Sequence, residues 1–220
     1  MPEAHPSEQF SLRLRSATRP DHDGSEHTSY MTALLEGRLR RDEYALLIEQ
    51  LYFVYDVLEQ AADHMRGDAV AGAFDLTGFR RLPALRADLE FYYGPRWAER
   101  VEPDEATRLY CDRLRDVCFD WPGGFVAHHY TRYLGDLSGG QVIAKRLMGV
   151  YDLLGGDGVR FYHFEGRPKA LKDRYRTLLD TAPWDEAERA RIVAEVKTAY
   201  HLNTQLITAL GRRIPVDPAA

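Results

Sequence analysis

The sequence predicts a single all-α domain of seven or eight helices. Two observations predict it. Apolar residues recur at spacings of three and four along much of the 220-residue chain, and no stretch of convincing length alternates apolar with polar residues as a half-buried strand would. Glycine and proline clusters punctuate the periodic stretches.

Each element follows in turn. Short helices fit residues 8–28 and 29–37. The stretch 41–66 carries Tyr44, Leu47, Leu51, Val54 and Leu58 on one face and is long enough to cross the domain. A short helix fits 84–93, and 104–119 repeats the pattern with Leu109, Leu114 and Val117. Pro122, Gly123 and Gly124 then break the chain, and one long helix is expected over 125–151. Gly155, Gly156 and Gly158 mark a loop before helices over 167–180 and 185–211, the last closed by Arg212, Arg213 and Pro215. The domain is expected to span 8–213, with residues 1–7 and 214–220 as flexible termini.

Composition narrows the function. Hydrophobic residues make up 45% of the chain and charged residues 29%, which suits a folded globular domain and not a disordered one. A net charge of −5 excludes a strongly basic nucleic-acid binder as the default. No apolar run reaches the roughly 18–20 residues of a membrane helix, and the first residues lack a signal pattern, so a cytoplasmic protein is expected. Cys111 and Cys118 lie seven residues apart in a helical stretch. That separation is about 10 Å along the axis, too far for a disulfide, and they read as thiols of a reducing compartment.

Two constellations carry chemistry. At about 100° per residue, Arg15, Arg19 and Glu26 fall within about 60° of His22, on one narrow helix face. An imidazole can ligate iron through one ring nitrogen, a carboxylate one turn on can fix its tautomer, and the two guanidinium groups can hold ligand carboxylates. The plain alternative is a charged solvent face with an incidental histidine. Pro20 and Gly24 cost about 3 and 1 kcal/mol in a helix interior, and a helix starting at Pro20 would separate both arginines from His22.

The second constellation is Arg132, Gly135, Asp136, Gly139 and Gly140, among the apolar residues Leu134, Leu137, Val142, Ile143 and Leu147. Glycines cost roughly 0.5–1 kcal/mol each in a helix, so something should offset them. They let a flat ligand, or another helix, approach the backbone closely. Asp136 beside them, one turn after Arg132, can organise water over such a ligand. His27 competes with His22 for a metal but points about 100° away from Glu26. His128 and His129 read as structural histidines, and His201 and Asn203 on the last helix as structural residues that could back a pocket. No HExxH, CxxC, Walker loop or GxGxxG is present, so zinc, nucleotide and dinucleotide chemistry lack support.

Tyr130 to Gln141 reads YTRYLGDLSGGQ, accompanied by FYYGPRW at 91–97, FYHFEG at 161–166 and KTAYHLNTQ at 197–205. With these motifs the chain resembles the heme oxygenase family over nearly its whole length, most of all the short bacterial members without the apolar tail of membrane-anchored animal ones. The resemblance implies heme sandwiched between a proximal and a distal helix. Heme would be both substrate and oxygen-activating cofactor, cleaved with O2 to biliverdin, carbon monoxide and ferrous iron, with the alpha-meso position expected.

Carried over residue by residue, the resemblance puts the proximal iron ligand on His22 and its carboxylate partner on Glu26. The propionate-binding cations fall on Arg15, Arg19, Lys172 and Arg176. Gly135 and Gly139 fall in contact with heme, and Tyr130 near its propionate edge. The distal carboxylate falls on Asp136, with Arg132 and Tyr55 in its polar network. Arg stands at 15 and 19 where Lys is more usual, and Pro20 and Gly24 depart from the helix formers expected beside the ligand. The chain has no flavin or iron–sulfur motif, so electrons are expected from a ferredoxin with its reductase or from a flavoprotein reductase. A monomer without nucleic-acid or membrane partners is expected.

Overall fold

In chain order the helices are α1 (Phe10–Glu26), α2 (Ser29–Glu36), α3 (Arg41–His64), α4 (Leu82–Tyr93), α5 (Glu105–Cys118), α6 (Pro122–His129), α7 (Gly135–Ser138), α8 (Gly140–Tyr151), α9 (Pro168–Thr181) and α10 (Glu186–Arg213). The computed structural model describes residues 9–153 and 155–214, except the side chains of Ser25 and Glu26. Among the described residues there is no strand. The expected flexible ends lie almost wholly outside the described residues.

Helix α3 lies at the centre. Its stripe of Tyr44, Leu47, Leu51, Val54 and Leu58 is buried as the periodicity requires, and so are Tyr55 and Glu59 on other faces. It packs against α4, α5, α6 and α10. Helix α1 lies chiefly along α10, and its start is tied down: the Ser11 backbone N–H and hydroxyl donate to Asp180 at 2.8 and 3.1 Å, and Arg13 pairs with Glu186.

Seven of the eight expected helices form within a few residues of their expected ends. The eighth, 125–151, is corrected in two ways. The Pro122-Gly123-Gly124 cluster does not end a helix but opens one. Proline at the first helical position gives up an N–H that has no partner there anyway. A Cβ on Gly124 would stand 2.5 Å from the Trp121 ring, so glycine lets the chain turn tightly against it. Further on, the expected single helix divides into α6, a π-helical turn over Tyr130–Leu134, α7, a break at Gly139, and α8. Three glycines within six residues weaken the regular hydrogen-bond pattern where it divides.

Two apolar assignments also change. Leu109 and Val142 are 53% and 64% exposed. The buried face of α5 runs instead through Tyr110, Cys111, Leu114, Val117 and Cys118, both cysteines being free thiols.

A cavity between the first helix and the glycine-rich segment

Helix α1 is continuous through Pro20. The proline is exposed, and so is Ser16, whose carbonyl loses its usual donor there. Water can replace the lost bond, and the helix keeps Arg15, Arg19 and His22 on one side. That side lines a cavity of about 550 Å³. The range of small-molecule sites is roughly 300–1,000 Å³.

The lining joins α1 to three distant parts of the chain. Arg15, Arg19 and His22 come from α1, Tyr130 and Gly135 from the π turn and α7, Lys172 and Arg176 from α9, and Tyr200 from α10. Seven of the twelve site residues chosen from sequence therefore meet in one place. His22 is half-exposed, its Nδ1 3.5 Å from Asp23 Oδ1, and its ring stands edge-on to Tyr200 with centroids 5.9 Å apart. His27 is exposed, lies outside the lining, and has its Nδ1 2.6 Å from the Asp23 carbonyl oxygen. The side chain of Glu26 is outside the described residues.

The cations sit along the cavity. Lys172 Nζ lies 3.5 Å from Ser138 Oγ, and Arg176 pairs with Asp173 at 3.0 Å. Burial raises the Tyr130 phenol above its ordinary range, while Arg15 and Arg176 nearby pull it down.

The glycines divide by role. A Cβ built on Gly135 meets nothing within 4 Å, and one on Gly139 meets only the Gly135 carbonyl at 3.7 Å, although Gly139 is not itself in the lining. A Cβ on Gly140 would stand 2.6 Å from the Tyr162 ring. Gly140 therefore serves packing, the alternative open at the sequence level, while Gly135 leaves open space on the cavity.

Asp136, Arg132 and Tyr55 lie behind the lining and form one cluster. The Tyr55 hydroxyl donates to Asp136 Oδ2, and Arg132 Nη2 lies 3.5 Å from Asp136 Oδ1. Arg132 Nη1 donates to Asn203 Oδ1 at 2.5 Å, and its guanidinium carbon lies 5.4 Å from the Tyr55 ring centroid. Arg132 Nε is buried without a hydrogen-bond partner. Burial raises the Asp136 carboxyl above the ordinary range against the pull of Arg132 and Tyr55. Burial raises the Tyr55 hydroxyl well above its ordinary value, with the Asp136 charge adding to it. The three groups thus hold a proton store one residue away from open backbone.

The profile of the heme oxygenase family matches residues 8–209. The chain belongs to the heme oxygenase family. Among curated relatives, heme oxygenase 2 of Synechocystis is 35% identical over 90% of this chain and 81% of its own. Heme oxygenase 1 of Gallus gallus is also 35% identical, over 94% of this chain and 72% of its own. The crystal structure of heme oxygenase-1 from Synechocystis in complex with heme superposes with a TM-score of 0.89 at 33% identity, covering 94% of each chain. The Synechocystis heme oxygenase-2 complex with heme and NO gives 0.90 at 34% identity, over 94% of this chain and 86% of that one. Heme oxygenases are oxidoreductases that degrade heme, and the all-α fold is shared.

Sequence reasoning missed several members of this heme oxygenase site. Tyr200 beside His22 had a weak signal, being one turn before Asn203 on the buried face of α10. Thr18 and Ser11 follow from α1 periodicity once that helix is known to be continuous. His128 and His129 are structural as expected: His128 Nε2 lies 2.9 Å from Glu195 Oε1, and His129 Nδ1 lies 3.1 Å from the Tyr175 hydroxyl. His201 is exposed and bonded to Gln205, whereas Asn203 does back the cluster through Arg132.

Proposed function

We propose that this chain cleaves heme with O2 and external electrons to biliverdin, carbon monoxide and ferrous iron, with His22 as the iron ligand. One observation carries the reading: a single cavity is lined by an imidazole from α1, open glycine backbone from α7 and four cations. A flat, dianionic macrocycle with a central metal fits that set. Bound heme supplies the iron at which O2 reacts.

The remaining work belongs to the chain. His22 binds as a neutral ligand, without the electron push of a thiolate. Glu26, one turn on in sequence, is assigned its second ring nitrogen on the family resemblance. Arg15, Arg19, Lys172 and Arg176 hold the two propionates, and the arginines can do so with two bonds each. In-plane rotation is thereby fixed, and rotation decides which meso carbon is attacked; the alpha carbon is our assignment. Tyr130 borders the propionate side. Gly135 and Gly139 admit the macrocycle close to the backbone. Asp136 holds a water that carries protons to the reacting oxygen, with Arg132 and Tyr55 fixing the carboxylate.

Electrons come from a ferredoxin with its reductase or from a flavoprotein reductase, drawn to the cations beside the cavity. We assign the chain to the cytoplasm as a monomer. Its buried free thiols suit a reducing compartment, and among the described residues no helix is long and apolar enough to cross a membrane.

Hemin titration followed by ascorbate in air, with catalase and an iron chelator, tests the reading. The expected course is a Soret band that decays to biliverdin absorbance. A Soret band that survives reduction by both ascorbate and a reductase would identify a carrier instead.

A further inference from the structure

Asp88, on α4, is fully buried and takes no part in the site above. Its Oδ1 accepts the Arg160 backbone N–H at 3.0 Å and its Oδ2 the Phe161 N–H at 2.8 Å. The chain can present two successive N–H groups to one carboxylate because Gly155, Gly156 and Gly158 hold φ at 69°, 84° and 81°, where other residues are strained. Burial pushes the carboxyl up to about 6, against the pull of those N–H groups. A charge kept at that cost needs a reason.

The other side of the anchored residues bears on the distal wall at two points. The Phe161 ring stands edge-on to Tyr55, centroids 5.3 Å apart, and the Phe161 carbonyl accepts Arg81 Nη1 at 3.1 Å. The Tyr162 carbonyl accepts Gln141 Nε2 at 2.6 Å, and its ring occupies the space beside Gly140 that a Cβ would need. One carboxylate therefore fixes a strap that touches both the tyrosine bonded to Asp136 and the first residues after the Gly139 break.

We propose that Asp88 is a positioning residue for heme cleavage: through residues 160–162 it sets where the Tyr55 hydroxyl and the start of α8 stand relative to the cavity. The proposal rests on the heme oxygenase reading. Asp88→Asn keeps one acceptor and turns an NH2 toward the second N–H, so the strap shifts while the buried volume is retained. Asp88→Ala removes both acceptors.

The test compares hemin affinity, biliverdin formation and the pH midpoint of the Soret shift of the ferric complex, which senses hydrogen bonds around the iron-bound water. In Asp88→Asn we expect hemin affinity within about twofold of the parent and biliverdin formation slowed about tenfold or more. The pH midpoint should move by about half a unit. Gly140→Ala pushes the same strap from its other side and should shift the midpoint too. A folded Asp88→Asn with a lower melting temperature but parental turnover and midpoint would reduce Asp88 to a structural cap and overturn the proposal. A parent protein that binds hemin yet forms no biliverdin would instead remove the underlying reading.

Discussion

The Tyr55 hydroxyl, from the central helix α3, donates to a carboxylate oxygen of Asp136, 81 residues further along the chain. This bond occupies one oxygen, and Arg132 stands 3.5 Å from the other. Asp136→Ala is expected to bind hemin normally and to lose biliverdin formation by about 10²-fold or more. Tyr55→Phe is expected to lose about tenfold with hemin affinity unchanged. Parental biliverdin yield from Asp136→Ala would remove the proton-delivery role.

His22 and His27 share one end of α1, and His22 alone lines the cavity. His22→Ala should abolish turnover and the histidine-ligated heme spectrum, and added imidazole should restore the spectrum. His27→Ala should change neither. A spectrum lost in His27→Ala and kept in His22→Ala would exchange the assignments.

Gly135→Ala separates folding from function. Nothing lies within 4 Å of the added Cβ, so helix propensity should raise stability by about 0.5–1 kcal/mol. The same methyl enters the cavity, and hemin affinity should fall about tenfold or more. Chemical denaturation and Soret titration on one preparation check both; unchanged affinity would show that Gly135 does not contact the ligand.

Burial lowers the His129 imidazole to about 3. The unfolded chain therefore takes up a proton near pH 6.5 that the folded chain refuses, and stability drops by about 1.4 kcal/mol per pH unit below that point, down to the folded value. His129 stacks on Tyr133 at 4.1 Å, so His129→Phe can keep the stack while removing the titration. Denaturation midpoints of the two proteins between pH 6.5 and 4 should diverge in favour of the variant as pH falls. Parallel curves would contradict a buried neutral imidazole.

Local spacing made much of this protein legible. The face of Arg15, Arg19 and His22 followed from one helical period, and the stripe of α3 from another. What sequence could not weigh was context. Proline at 20 is tolerated because its unbonded carbonyl faces solvent, which depends on where α1 packs. Val142 looks like a core residue by type and spacing, but the division of the helix at Gly139 turns it outward. Gly135 and Gly140 are the same residue on adjacent turns, and only the Tyr162 ring distinguishes a packing glycine from one that borders the cavity. Asp88 had no local signal, since its partners are more than seventy residues away.

The π-helical turn over Tyr130–Leu134 has a consequence for chain length. Tyr130 and Gly135 line the same cavity although they are five residues apart, a separation that i→i+5 bonding stacks and that regular α-helix would turn by about 140°. The segment is thus a spacer that keeps two phases in register: the buried packing phase of α6 and the cavity-facing phase of α7. Deleting one residue inside it would restore an ordinary helix and rotate Asp136 by about 100°. Substitutions there alter contacts, whereas a change in residue number alters the direction of everything downstream.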